Sequence, residues 1–282
     1  MPKSSKKPID YFCIGHLTRD MEENGAAAGG TAAFSALTAE EFGLRTAILT
    51  AGSPPNIKHI FEGIEVHCKS LNPTTTFMNV ETSSSRKQHI SDVADYLQNA
   101  DIPASFSGFS GILHLGPVAD EVDPEIIKHF PNAFIGITPQ GWMRQWDNEG
   151  FVSYKQWKPD NGFLENVDAA VFSIEDVDAD EEIVSDFSQK LKIMAVTEGI
   201  DGARIYWNGD VRRIQAPAVS IIDLIGAGDI FAAVFFIRLH QGCDPWEAGR
   251  QAVQLASISV ARRRLKSIPT KREIQTTMVE IF

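Results

Sequence analysis

The most informative stretch of the sequence is Asp223-Leu224-Ile225-Gly226-Ala227-Gly228-Asp229, which directly precedes the apolar run Ile230–Ile237. The run would be hydrophobic on nearly every side of a helix, which predicts a central, buried helix over 226–240. The two glycines permit a tight turn and a close approach of the backbone where that helix begins. The stretch therefore predicts a glycine-rich loop at the N-terminus of a buried helix.

Such a helix start can bind and stabilise phosphate. The first N–H groups of a helix lack partners within the helix and carry partial positive charge, so they can hold a phosphate or a developing negative charge. Asp229 lies in the first turn, where its carboxylate can accept the proton of a substrate hydroxyl. Acidic residues are common at this position for electrostatic reasons alone, so the spacing does not by itself establish catalysis.

Two other phosphate-binding patterns are excluded. Phe231 occupies the third glycine position of a Gly-x-Gly-x-x-Gly fingerprint, which disfavours a dinucleotide site. The sequence contains no Gly-Lys-Ser/Thr, so it has no Walker-type loop.

Outward from this loop, strands and helices alternate along the chain. Tyr11–Gly15 and Thr46–Thr50 are predicted strands, separated by a helix over Ala32–Phe42. This alternation predicts an α/β fold with a mostly parallel sheet. Residues 74–91 instead predict a β-hairpin, with a polar turn at 82–85. With no repeat or long linker, residues 1–282 are expected to form a single domain.

Composition and charge narrow the classes of protein further. The 282 residues are 43% hydrophobic and 22% charged, which excludes a disordered chain. With 26 basic and 37 acidic residues, the net charge of −11 argues against broad nucleic-acid binding. Cys13, Cys68 and Cys243 have neither disulfide-framework nor metal-site spacing, which fits a reducing compartment.

The apolar segments predict no membrane association. Residues 1–7 are basic and polar and no apolar run follows them, so a secretory signal is not expected. Phe231–Ile237 is far too short to span a bilayer. We expect a soluble, cytoplasmic protein.

An ordered set of motifs resembles the ribokinase-like carbohydrate kinases, also called the PfkB family. The 223–229 stretch is similar to the family's Asp-Thr-x-Gly-Ala-Gly-Asp signature, with Leu224 in place of threonine. The other matching segments, in chain order, are Asp20, Gly29-Gly30, Gly43, Ala51-Gly52, Thr197-Glu198-Gly199 with Gly202, and Ile268-Pro269-Thr270. The resemblance covers nearly the whole chain and implies a three-layer α/β/α fold with a small β-sheet lid.

The resemblance also implies an activity, ATP-dependent phosphorylation of an alcohol, and assigns residues to it. Asp229 would be the general base, and the N–H groups of Gly226, Ala227 and Gly228 would form the anion hole. Residues expected to bind the nucleotide are Ser173, Asp176, Thr197, Gly199 and Asp223. Mg²⁺ would bridge the phosphates, held through water by Asp176 or Glu175 rather than by direct ligands; whether K⁺ assists is left open.

The acceptor is expected to be a small sugar, cyclic polyol or nucleoside. Residues expected to bind it are Asp20, Gly29, Gly30, Gln140 and Arg144, with Phe34 as an apolar wall where the family has asparagine. The segment Thr138–Arg144 is somewhat similar to the Gln-Gly loop of inositol-type kinases. A sugar or polyol kinase is the leading hypothesis. A nucleoside kinase, with Phe34, Phe77 or Trp142 beside the base, and a non-catalytic nucleotide or sugar sensor remain alternatives.

The lid is expected to be reduced. Only eight residues separate Asp20 from Gly29, so we predict that the extra strand pair of a full lid is missing there. The 74–91 hairpin would then be the only cover over the site. Since the family dimerises through its lid, a monomer or weak dimer is expected.

Overall fold

The computed structural model describes residues 8–22, 25–53, 57–81, 86–160 and 162–278. The basic start of the chain and the predicted turn at 82–85 lie outside the described residues. The strands are β1 Tyr11–Ile14, β2 Thr18–Glu22, β3 Gly25–Gly29, β4 Thr46–Thr50, β5 Glu65–Cys68, β6 Thr76–Glu81, β7 Arg86–Asp92, β8 Ile112–Leu115, β9 Phe134–Ile137, β10 Arg144–Trp146, β11 Val152–Tyr154, β12 Ala169–Ser173, β13 Ile193–Thr197, β14 Ala203–Trp207 and β15 Asp210–Ile214. The helices are α1 Thr31–Glu41, α2 Ile57–Ile60, α3 Glu181–Lys190, α4 Ala227–His240, α5 Pro245–Ser259 and α6 Lys271–Thr277.

A nine-stranded sheet forms the middle layer, in the order β15-β14-β13-β12-β9-β8-β1-β4-β5. The strands from β13 to β5 in that order are joined by parallel pairings, and the β14–β15 hairpin adds an antiparallel edge. Because parallel strands end at the same edge, the loops that follow β1, β9, β12 and β13 converge there. The predicted mostly parallel α/β sheet is confirmed.

The two faces of the sheet are covered by separate apolar layers. On one face α1 and α4 pack together, with α5 against α4. The α4 segment Ile230–Ile237 is entirely buried, as its uniform hydrophobicity predicts. On the other face, α3 and short 3₁₀ helices, including Pro124–His129 and Pro139–Met143, cover the sheet. No helix in the described part of the chain combines the length and the hydrophobicity needed to cross a lipid bilayer.

The lid is larger than predicted. It is a four-stranded sheet in the order β3-β2-β6-β7, in which β2 and β3 are antiparallel and β6 and β7 form the expected hairpin. The prediction that residues 20–29 lack a strand pair is therefore wrong. The short segment suffices because residues 18–22 pair directly with residues 25–29, in the register Thr18 to Gly29 and Glu22 to Gly25.

Candidate functional site

A cleft of about 680 Å³ lies between the lid, the carboxyl edge of the large sheet and the start of α4. Its volume falls within the range of roughly 300–1,000 Å³ that is typical of small-molecule sites. Predicted site residues that line it are Asp20, Gly30, Gln140, Arg144, Ser173, Glu175, Thr197, Gly199, Gly226, Ala227, Gly228 and Asp229. Segments far apart in the sequence thus contribute to one continuous site.

The loop before α4 is folded as its glycines predict. Gly226 has a left-handed backbone, with φ of 83°, and a Cβ there would lie 2.2 Å from the Phe34 ring. Glycine is required at 226 for both reasons. Gly228 is exposed to the cleft, and a Cβ there would meet open space. Ala227 N–H donates a long hydrogen bond of 3.3 Å to the Leu224 carbonyl.

Asp229 is the third residue of α4 and lies half-buried at the bottom of the cleft. Burial raises the pKa of its carboxyl from the ordinary 3.8 to about 6. A hydrogen bond from the Thr31 side chain and the positive charge of Arg144 oppose this rise, whereas the charges of Asp176 and Asp20 add to it. A carboxylate with a pKa near 6 is ionised at neutral pH and is basic enough to take a proton.

Asp20 lies on β2, on the lid side of the cleft. Its Oδ1 accepts a hydrogen bond of 2.8 Å from the Thr18 hydroxyl, and its Oδ2 accepts one of 2.7 Å from Nη1 of Arg264. Burial raises the pKa of the Asp20 carboxyl, and these two partners counteract the rise. Gly29 does not line the cleft; it makes room for Asp20, since a Cβ there would lie 2.5 Å from Oδ2.

Gly30 and Arg144 both line the cleft. Gly30 precedes α1 with a positive φ of 87°, and a Cβ there would approach the His16 carbonyl to 2.5 Å. Arg144 donates to the Val118 carbonyl at 3.0 Å and lies over the Phe77 ring. Burial lowers the pKa of Arg144, although the surrounding carboxylates favour its charged form.

Asp176 does not line the cleft but links two segments that do. Its Oδ1 accepts from Nε2 of Gln140 at 2.7 Å and its Oδ2 accepts from the Ser173 N–H at 2.8 Å. Because both oxygens are engaged, Asp176 holds two neighbouring loops together. Glu175 is the exposed carboxylate that lines the cleft at this point.

Asp223 does not line the cleft. Its Oδ1 accepts from the Ile225 N–H and its Oδ2 accepts from the Arg264 N–H, each at 3.1 Å. Asp223 therefore shapes the glycine-rich loop from behind, which is a different position from the nucleotide contact predicted for it. Arg264 stood out in the sequence only as part of an arginine cluster, and no signal there indicated its two aspartate partners.

Many of the residues that line the cleft are apolar. They include residues 216–219, Ile221, Val253, Ala256 and Val260. Ile200 and Leu224 also line the cleft and are 74% and 57% exposed. The cleft thus combines apolar lining residues with the glycine-rich start of α4.

Two other sequence expectations concern aromatic residues and metals. Trp142 lies outside the cleft: it is buried, stacks on Trp157 and donates to the Val122 carbonyl at 2.8 Å. Among the residues that the structure describes, no three His, Cys, Asp or Glu side chains are grouped to hold a metal ion.

Comparisons with known proteins fit this geometry. The family model described as pfkB family carbohydrate kinase matches residues 167–271. An inositol 3-kinase from Zea mays is 25% identical over 261 residues, which cover 85% of this chain and 68% of that protein. A probable fructokinase-5 from Arabidopsis thaliana is 36% identical over 64 residues, covering 23% of this chain and 20% of that protein.

Solved structures share the fold. A pyrophosphate-dependent kinase in the ribokinase family, complexed with a pyrophosphate analog and myo-inositol, aligns with a TM-score of 0.78 at 19% identity, over 95% of this chain and 100% of that one. A ribokinase from Thermotoga maritima aligns with a TM-score of 0.73 at 19% identity, over 95% and 99% of the two chains. The predicted ribokinase-like three-layer fold is confirmed.

Proposed function

We propose that this chain, whose residues 167–271 match the pfkB family carbohydrate kinase model and whose fold is that of a ribokinase, transfers the γ-phosphoryl group of ATP to a hydroxyl of a small cyclic polyol or sugar. The observation that carries the proposal is the position of Asp229. Its carboxylate, with a pKa near 6, lies beside the α4 N-terminus in the same cleft as Asp20 and Arg144.

The reaction follows from this arrangement. The acceptor oxygen bonds to the γ-phosphorus as the bond to the β–γ bridging oxygen breaks, and ADP leaves with that electron pair. Asp229 takes the hydroxyl proton, which raises the electron density on the attacking oxygen. The first-turn N–H groups of α4, from Gly226 to Gly228, stabilise the charge on the transferring group.

The acceptor half of the cleft suits a neutral ring with several hydroxyls. Asp20 accepts hydrogen bonds, Arg144 donates them, and the Gln140 amide can do both. Phe34 and Phe77 line the same space and can cover the C–H face of a ring. A cyclic polyol presents both kinds of surface, and the similarity to an inositol 3-kinase supports this class.

ATP is proposed as the donor in preference to pyrophosphate. The apolar lining residues, among them 216–219, Ile221, Val253 and Ala256, offer a surface for an adenine ring. Pyrophosphate has no group that would bury this surface. Mg²⁺, if bound between the phosphates and Glu175 through water, would neutralise phosphate charge. A requirement for K⁺ is tested by exchanging KCl for tetramethylammonium chloride at constant ionic strength.

The two alternative functions are separated from this one by experiment. A nucleoside kinase would use an aromatic wall for the acceptor base; Phe34 and Phe77 line the cleft, whereas Trp142 is packed away from it. A sensor would not need a base, and Asp229 has the position and pKa of one. Both alternatives are outcomes of the test below.

The test is ADP release with a panel of acceptors. We expect release with ATP and a cyclic polyol or sugar, and at least about 10²-fold slower turnover for Asp229→Asn. Pyrophosphate is run as an alternative donor, with phosphate release measured. Turnover only with nucleosides would favour the nucleoside kinase. Tight nucleotide binding without turnover on any alcohol would favour the sensor and contradict the proposal.

Location and oligomeric state are proposals of the same kind. The three free cysteines support a reducing compartment such as the cytoplasm, which fractionation of source cells would test. Because β2 and β3 are present in the lid, a missing strand pair gives no reason to expect a monomer or weak dimer, and light scattering on the purified protein is the measurement to make.

A further inference from the structure

Arg264 joins the lid to the loop that precedes α4. Its Nη1 donates to Asp20 Oδ2 at 2.7 Å and its Nε pairs with Glu22, both on β2. Its main-chain N–H donates to Asp223 Oδ2 at 3.1 Å. The Arg264 and Asp20 side chains are 17% and 15% exposed, so their ion pair is shielded from bulk water, whereas Glu22 is 42% exposed.

The backbone of Arg264 is held in an unfavourable conformation. Its φ of 52° lies in the left-handed region, where glycine is the preferred residue. α5 ends at Ser259, so the residue stands on the following segment rather than on the helix. A non-glycine residue persists in this region only when its surroundings compensate for the strain, and the acidic partners of Arg264 do so.

The side chain and the main chain of Arg264 serve different parts of the site. The guanidinium contacts the lid carboxylates and reaches Asp223 Oδ2 only at 4.0 Å, whereas the N–H donates directly to that aspartate behind the glycine-rich loop. A glycine at 264 would keep the N–H and fit the backbone, while removing the guanidinium alone. The two functions can therefore be separated by one substitution.

We propose that Arg264 is a positioning residue for the acceptor: its guanidinium holds the Asp20 carboxylate in place and ionised, so that its free lone pairs receive substrate hydroxyls. This inference rests on the proposed kinase function, in which Asp20 binds the acceptor. A carboxylate has about four lone-pair sites, and Thr18 and Arg264 use two of them. Arg264 therefore fixes the orientation of the Asp20 carboxylate and leaves acceptor sites on it for substrate hydroxyls.

The test compares Arg264→Gly and Arg264→Lys with the wild-type enzyme. For Arg264→Gly we expect the acceptor KM to rise at least about tenfold, while kcat and the KM for ATP change less than about threefold, because an interaction that serves acceptor binding is lost. Arg264→Lys should recover part of the loss, since it restores a positive charge. Arg263→Met, at the exposed neighbouring position, is the matched control and should behave as wild type.

Two further measurements keep the inference separate from the proposed function. In an Asp20→Asn background, Arg264→Gly should add little to the acceptor KM, because the partner is already changed. Hydrogen exchange, which needs no activity, should be faster in residues 18–29 of Arg264→Gly than in wild type. An inactive wild-type enzyme would refute the proposed function, whereas the exchange result would still test the lid contact.

Two results would overturn the inference. The first is an unchanged acceptor KM together with unchanged exchange in the lid. The second is a lower acceptor KM in Arg264→Gly, which would mean that the guanidinium competes with the acceptor for Asp20.

Discussion

Replacement of Asp229 by asparagine is expected to lower turnover and to raise stability. Asparagine has nearly the shape of the protonated carboxyl but can neither ionise nor accept a proton. Loss of a general base costs about 10²–10⁴-fold in kcat. In the wild type, kcat/KM should fall about tenfold per pH unit below about 6, because only the ionised Asp229 is active.

The effect on stability follows from the same pKa. The folded-state pKa of Asp229, about 6, lies above its ordinary value of 3.8, so the folded protein binds this proton more tightly than the unfolded chain does. The stability that this proton contributes is complete below pH 4 and is lost as the pH rises through 6. A shift of roughly 2 units corresponds to an upper limit of about 3 kcal/mol.

The assay combines kinetics with unfolding. In urea unfolding at pH 8, the free energy of unfolding of Asp229→Asn should exceed that of the wild type by up to about 3 kcal/mol. The difference should shrink as the pH is lowered through 6. Nucleotide affinity, measured by calorimetry, should stay near the wild-type value.

The outcome that contradicts this reasoning is specific. If the turnover of the variant lies within about tenfold of that of the wild type, Asp229 is not the general base. A difference in the free energy of unfolding that does not depend on pH would mean that burial does not raise the pKa of the Asp229 carboxyl in the folded protein.

Four further substitutions test the architecture of the site. Gly226→Ala places a Cβ against Phe34 at a positive φ, so it should cost about 1–3 kcal/mol in thermal unfolding, whereas Gly228→Ala, which faces open space, should stay near wild type. Glu175→Gln should raise the Mg²⁺ concentration for half-maximal rate at least about threefold and leave the acceptor KM unchanged; an unaltered Mg²⁺ titration would exclude Glu175 from the metal's environment. Asp176→Ala removes the hydrogen bond from Gln140 and the local one from the Ser173 N–H, so it should destabilise the fold by about 1–3 kcal/mol and raise the acceptor KM, and unchanged values of both would argue against its connecting role.

The elements with strong local signals could be predicted from the sequence. The helix beginning beside Asp229 was predicted over 226–240 and is observed over Ala227–His240. Its signals are all within a few residues: glycines at the start, an acidic first turn and a continuous apolar body. Asn208-Gly209 between two β-prone runs is an equally local signal, and it indicates the hairpin that β14 and β15 form.

The lid strand β3 could not be predicted in this way. Its sequence, from Gly25 to Gly29, is glycine and alanine throughout, and these residues have low β propensity. The strand forms because its backbone pairs with β2, and its small side chains leave room for Asp20. A pattern search that rewards β-branched and aromatic residues misses such a strand.

The end of α5 was also decided by tertiary contacts. The sequence predicts a helix that continues to Arg263, but the helix ends at Ser259. The Val260 carbonyl accepts hydrogen bonds from the Ile222 and Asp223 N–H groups, at 2.8 and 3.1 Å, instead of continuing the helix. These partners come from a segment nearly forty residues earlier in the chain, so no local stop signal was needed.

The sequence by itself determined the α/β alternation, the buried helix and the acidic residue in its first turn, because caps, glycines and periodicity act within a few residues. Only the tertiary structure decided which charges meet. Asp20 binds Arg264 across 244 positions, and Gln140 binds Asp176 across 36. These pairings depend on the path of the whole chain, since any arginine or aspartate in the sequence has the same chemistry until the fold places it beside a partner.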